Sequence, residues 1–133
     1  MSHIIRVAVA VIQRRGRILI AKRPQHLHKG GYWEFPGGKQ EQDESIDKAL
    51  IRECFEELGI VPYKFSPFIQ IEHSYPEKSV CLDVWQVTDY LGIPKGLEGQ
   101  PLLWCPIEDL DDYQFPEANL AIVEAIKGQM IKL

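Results

Sequence analysis

One short helix constrains this chain more than any other feature. From Ser45 to Gly59 it reads Ser-Ile-Asp-Lys-Ala-Leu-Ile-Arg-Glu-Cys-Phe-Glu-Glu-Leu-Gly. The Ser45 hydroxyl can cap the start, Asp47 suits the positive end, and Gly59 suits a left-handed C-terminal cap. Each helical residue advances by about 100°, so with Glu53 at zero, Glu57 stands near +40° and Glu56 near −60°. Ile51, Cys54, Phe55 and Leu58 gather near about 150° and are expected to face the core. Carboxylates three and four residues apart repel, and in the last turns they also oppose the helix dipole. Arg52 reaches Glu56 at i+4 but cannot neutralise all three. A bound divalent cation would remove the conflict, and carboxylate oxygens suit Mg²⁺ or Mn²⁺. A solvated charged face is the competing reading. The neighbouring Gly37-Gly38 weighs against it, because a tight glycine turn can offer carbonyls to a metal and N–H groups to a phosphate.

The rest of the chain reads as strands with a second helix. Ile4–Gln13 is rich in Val, Ile and Ala and reads as a buried strand. Arg14-Arg15-Gly16-Arg17 is its turn and Ile18–Lys22 the returning strand. Residues 23–31 read as a loop, and Tyr32–Phe35 as a short strand stopped by Pro36-Gly37-Gly38. Tyr63–Glu72 and Val80–Thr88 are strands joined by a turn at Tyr75-Pro76-Glu77-Lys78, Asp89–Gly99 is a loop, and Leu102–Cys105 is a short strand. Glu117–Lys127 is a closing helix with Leu120, Val123 and Ile126 on one face. This mixture predicts a layered α/β architecture.

Size and charge exclude several functions. The 133 residues suit a single domain over 1–133, and 45% hydrophobic with 26% charged residues argues against disorder. A net charge of −4 is a poor match to long nucleic acid or anionic lipid. The longest apolar run, Val7–Ile12, is far too short to cross a membrane. Three widely spaced cysteines, Cys54, Cys81 and Cys105, fit free thiols in a reducing cytosol.

At this point the segment Gly38–Ile60 resembles the Nudix box: Gly, five residues, Glu, seven residues, Arg-Glu, an apolar residue, any residue, Glu-Glu, any residue, Gly and an apolar residue. Gly38, Glu44, Arg52, Glu53, Glu56, Glu57, Gly59 and Ile60 occupy the pattern. Cys54 departs from the usual Leu, Ile or Val and is expected to act as a small buried hydrophobe. The resemblance implies an α-β-α sandwich around a mixed β-sheet. It also implies Mg²⁺-dependent hydrolysis of a nucleoside diphosphate linked to another group, with Mn²⁺ able to substitute. The implied metal ligands are the Gly37 carbonyl, Glu53, Glu56 and Glu57. Arg52 orients the cluster and Glu44 ties the loop to the helix. Glu53 is the chosen general base, with the more distant Glu98 as alternative base and further metal ligand. Lys39 is placed to neutralise a leaving phosphate.

The resemblance extends along the chain to the MutT branch of the family, the 8-oxo-dGTP diphosphatases. Trp33–Lys39, Glu98–Pro101 and Phe115–Asn119 carry it. It implies nucleotide contacts from Arg23, His28, Asn119 and the backbone of Glu34, Phe35, Pro36 and Gly37. Oxidation of guanine at C8 turns N7 from acceptor to donor, so its edge reads acceptor–donor, which one carboxamide matches. A turned-over amide would match adenine, and an isolated Asn119 would read as a helix cap. Trp33 and Phe35 are either core or pocket residues, while Tyr75 and Lys78 are candidates for a pocket rim. The implied partner is a nucleoside triphosphate, and a monomer is expected. Alternatives are a hydrolase for CTP or another pyrimidine nucleotide, an ADP-ribose hydrolase (Pro76 stands 16 residues past Ile60), or a non-catalytic nucleotide-sensing module.

Overall fold

The computed structural model describes residues 4–27 and 29–131. Its frame is a long first strand, β1 (Ile4–Arg14), whose side chains alternate between two cores. Ala8, Ala10 and Ile12 enter one core, and Val9 and Val11 the other. β2 (Arg17–Lys22) returns from β1 through a two-residue turn in which Arg15 (φ 53°) and Gly16 (φ 76°) are both left-handed, as a type I′ hairpin requires.

β3 (Trp33–Glu34) and β7 (Leu102–Pro106) flank β2, each antiparallel to it. On the other side β1 pairs in parallel with β6 (Ser79–Leu91), from Ile4↔Ser79 to Ile12↔Val87. β6 pairs antiparallel with β5 (Val61–Ser74), and the turn closes with reciprocal hydrogen bonds between Tyr75 and Lys78. The order β3-β2-β1-β6-β5 is therefore a mixed sheet. β4 (Gly37–Lys39) pairs with β1 through Val7↔Lys39, Ala8↔Gly38 and Val9↔Gly37. The Pro36–Gly38 segment read as a strand stop is thus itself the entry to a strand, because glycines without side chains let it lie flat on β1.

The two helices cover opposite faces. α1 (Ile46–Leu58) packs on the Ala8, Ala10 and Ile12 side, and α2 (Glu117–Ile131) on the Val9 and Val11 side beside a 3₁₀ turn at Ile107–Asp112. The result is the expected α-β-α sandwich.

Both helices are rolled relative to the sequence reading. Leu50, Cys54 and Leu58 are buried at i, i+4 and i+8, whereas Phe55 is 58% exposed and Ile51 half-buried. Small Ala8 and Ala10 admit the Leu50–Leu58 ridge, so the buried arc reaches toward Glu57 instead of lying opposite the carboxylates. In α2, Ile122, Val123 and Ile126 enter the core and Leu120 is exposed. Ser45 occupies the N-cap position without a side-chain capping bond. Its hydroxyl is engaged with Asp47, whose carboxyl it holds below the usual range. Gly59 caps the other end as expected, with φ 72° and its N–H on the Phe55 carbonyl at 3.0 Å.

Candidate active site

The β4 turn lies along the carboxylate side of α1. A Cβ on Gly37 would overlap the Ala8 carbonyl of β1, and one on Gly38 would overlap the Glu53 carboxyl. Main chain restricts Gly37 to glycine, whereas a side chain on Gly38 would have to displace the Glu53 carboxyl. The Gly37 N–H donates to Glu57 Oε2 at 3.0 Å, tying turn to helix.

Arg52 spends all five of its N–H groups on this junction. Nε and Nη2 bind Glu44 at 2.7 and 3.0 Å, Nη1 binds Glu53 at 2.7 Å and Glu56 at 3.2 Å, and Nη2 also binds the Lys39 carbonyl at 2.9 Å. The planar fork suits a bidentate carboxylate in a way an ammonium cannot. Glu44 also accepts from the Glu41 N–H at 3.0 Å. The Arg52 bonds, and after them the Glu41 N–H, hold Glu44 below the usual carboxylate range. The Lys39 side chain is exposed.

Glu57 is the electrostatic centre. Burial, reinforced by the charges of Glu53, Glu98 and Glu34, pushes its carboxyl up to about 8 against the opposing Gly37 hydrogen bond. Its main-chain carbonyl accepts from Leu97 N at 3.0 Å and Gln100 Nε2 at 3.1 Å, which docks the segment carrying exposed Glu98 on the end of α1. Among the described residues no three carboxylate, imidazole or thiolate groups converge at ligand distance. Arg52 draws Glu53 and Glu56 to itself, and Glu56 stays half exposed. The donor set nevertheless fits a hard divalent cation: carboxylates and a main-chain carbonyl, with an excess of negative charge that leaves one member protonated. The Cys54 thiol is buried in the core beneath α1, and burial, with the charges of Glu57 and Glu53, pushes it up to about 12.

A cleft of about 370 Å³, a size suited to a small ligand, is lined from β3 and from the start of α2. Arg23, Glu34, His73, Tyr75, Leu82 and Asn119 are among its lining residues. Arg23 Nη1 donates to Glu34 Oε1 at 2.7 Å across one wall. Phe115, stacked on Phe35 with ring centroids 5.2 Å apart, and Trp33 N–H on the Gln114 carbonyl at 2.8 Å tie the segment before α2 to the β3 region. Asn119 lies inside the first turn of α2, its N–H on the Pro116 carbonyl at 2.9 Å. Its side chain is thus a cleft group and not a helix cap.

Of the run 34–37, Glu34 lines the cleft. Phe35 and Pro36 are buried, and the Pro36 carbonyl already accepts from Ala10 N at 2.8 Å. Trp33 packs edge-on against Tyr113. His28 lies outside the described residues. The cleft residues His73, Lys29 and Leu82 were not anticipated. Strand alternation at His73 was the only available signal, and it does not say what lies opposite. Tyr75, a proposed rim residue, does line the cleft, with its ring 4.7 Å from that of His73.

The NUDIX domain family matches residues 7–125. The chain is 36% identical over 124 residues to the 8-oxo-dGTP diphosphatase of Escherichia coli strain K12, covering 92% of this chain and 96% of that protein. It is 38% identical over 121 residues to the CTP pyrophosphohydrolase of the same strain, covering 91% and 90%. A MutT structure from work on the Aliivibrio salmonicida and Vibrio cholerae proteins superposes with a TM-score of 0.84 at 38% identity, covering 95% of this chain and 98% of that one. With the box residues gathered on β4 and α1, these matches agree with the fold: the chain belongs to the Nudix family of hydrolases.

Proposed function

We propose that this hydrolase is a Mg²⁺-dependent nucleoside triphosphate pyrophosphohydrolase that converts 8-oxo-dGTP to 8-oxo-dGMP and diphosphate, removing an oxidised nucleotide before it can cause mutation. A divalent cation is a general requirement of the family, and the all-oxygen donor set supports Mg²⁺. The observation that carries the substrate reading is Asn119 lining the same cleft as the Arg23–Glu34 pair.

Glu53, Glu56, Glu57, Glu98 and the Gly37 carbonyl would hold the cation, which when bound would supply positive charge to the phosphate oxygens and acidify the attacking water. Glu53 takes the proton of that water, and Arg52 sets its carboxylate against Gly38. Glu44 fixes Arg52 from the other side. Lys39, free of the core, meets the leaving diphosphate. Arg23 and His28 hold the nucleotide, while Phe35 and Pro36 support the pocket from within. The Asn119 carboxamide reads the acceptor–donor edge of the oxidised purine. The three free, buried cysteines support a reducing, cytosolic setting.

The equal likeness to CTP pyrophosphohydrolase makes a pyrimidine triphosphate the second reading. A panel of 8-oxo-dGTP, dGTP, CTP and dCTP with Mg²⁺ and product identification separates the two. The expected result is the highest kcat/KM for 8-oxo-dGTP. Preference for ordinary dGTP removes the sanitising role, preference for CTP establishes the second reading, and no hydrolysis across a broad panel leaves a nucleotide-sensing module.

A further inference from the structure

Gln100 closes the segment between β6 and β7, and its carboxamide bridges two elements. Oε1 accepts from the Glu98 N–H at 2.9 Å, and Nε2 donates to the Glu57 carbonyl at 3.1 Å. The Lys95 and Leu97 N–H groups bind the Leu58 and Glu57 carbonyls, each at 3.0 Å. These bonds satisfy acceptors that the end of α1 leaves open. They dock residues 95–97 but do not reach Glu98, which stands exposed between Leu97 and Gly99 (φ 80°). Glu98 is thus tied to α1 by the adjoining Leu97 main chain, and its own N–H is held through the Gln100 side chain.

The orientation of that side chain is set by its partners. Turned over, the Gln100 amide would place NH₂ against an N–H and oxygen against a carbonyl. The segment is also closed on itself. The Gly99 N–H binds the Gly96 carbonyl at 3.0 Å, and a Cβ on Gly96 would overlap the Gln100 carbonyl.

We propose that Gln100 is a positioning residue, fixing Glu98 at a set distance from the carboxylate face of α1 so that Glu98 joins Glu53 and Glu57 around the cation. This rests on the reading above that Glu98 serves that cation. The two halves of the amide have separate tasks: the oxygen holds Glu98, and the nitrogen holds the segment to Glu57.

The test compares the full chain with Gln100→Leu, Glu98→Gln and the double variant. Gln100→Leu is expected to lower kcat about tenfold while KM stays within about threefold. In the Glu98→Gln background the same change has no further effect, because the group being positioned is already lost. Without substrate, Mn²⁺ affinity followed by electron paramagnetic resonance falls several-fold in each single variant and no further in the double. In the metal-free chain the Glu98 amide of Gln100→Leu exchanges about tenfold faster. Equal losses from Gln100→Leu in both backgrounds, or Mn²⁺ binding lowered by Glu98→Gln alone, overturn the proposal. Gln100→Glu, which keeps the acceptor and loses the donor, repeats the cycle where Gln100→Leu fails to fold. If the wild type hydrolyses no nucleotide, the substrate reading fails by itself, and the Mn²⁺ and exchange measurements still decide the role of Gln100.

Discussion

The Glu53 carboxyl fills the space in which a side chain on Gly38 would stand. Gly38 is paired with Ala8 of β1, so the turn cannot move aside. Gly38→Ala is therefore expected to push Glu53 out of place and lower kcat/KM by about 100-fold, with a stability loss near 1 kcal/mol because the glutamate can swing away. Gly37→Ala meets main chain at Ala8 and should cost about 3 kcal/mol. Steady-state kinetics and urea unfolding distinguish the two.

Glu57 gives the metal-free protein an unusual pH dependence. Its carboxyl is raised from 4.5 to about 8, so between those values the folded chain binds more protons than the unfolded chain. Its stabilising contribution is complete below about pH 4.5 and is lost as pH climbs through about 8. Calorimetry without metal should show Tm falling over this interval by on the order of 10 °C. Saturating Mg²⁺ should flatten the slope, because a cation favours the ionised form. A metal-free Tm that rises with pH over the same range would contradict the burial argument.

Arg52 joins four acceptor residues with five bonds, which lysine cannot reproduce. Arg52→Lys is expected to reduce kcat by about 100-fold and stability by roughly 1–3 kcal/mol. Retention of wild-type kcat would show that Glu53 and Glu44 hold their places unaided.

Much of this junction is legible in the sequence because it is local. Glu53, Glu56 and Glu57 share a helix face by spacing, and the resemblance to the Nudix box adds Gly37, Gly38, Glu44 and Arg52, all within one short stretch of chain. The roll of that helix is not local. It depends on Ala8 and Ala10 being small, so Phe55, expected in the core, faces outward; Leu120 is exposed because α2 seats Ile122, Val123 and Ile126 in the other core. His73 and Leu82 reach the cleft through pairing of β5 with β6 and β6 with β1, contacts between residues far apart in the chain. Ser45 shows a finer limit: its capping position was readable, but not that Asp47 would take its hydroxyl.

Removing the base without removing its shape tests the assignment of Glu53. Glu53→Gln should lower kcat by about 1,000-fold, with Tm unchanged or slightly higher at pH 8, since one charge raising Glu57 is lost. Near wild-type turnover would transfer the proton abstraction to another carboxylate.

Asn119 offers a test of discrimination. Asn119→Ala should lower kcat/KM for 8-oxo-dGTP by about 10–100-fold and leave that for dGTP nearly unchanged. Its Tm should match the wild type, because the side chain does not cap α2. Equal losses on both nucleotides would mean that Asn119 holds the ligand without reading its base.

β1 is the central strand, bordered by β2, β4 and β6 and covered by α1. Its side chains build both cores, and its main chain carries Pro36, Gly37 and Gly38 on the Ala8–Ala10 stretch. The glycine turn consequently cannot shift without giving up its bonds to the central strand. The cleft borrows its remaining walls from the periphery: the 23–31 loop, the tip of the β5–β6 hairpin and the start of α2. Those margins can drift without disturbing the catalytic frame. An architecture so divided lets new substrates be acquired by edits at the rim, while the phosphate chemistry is inherited unchanged.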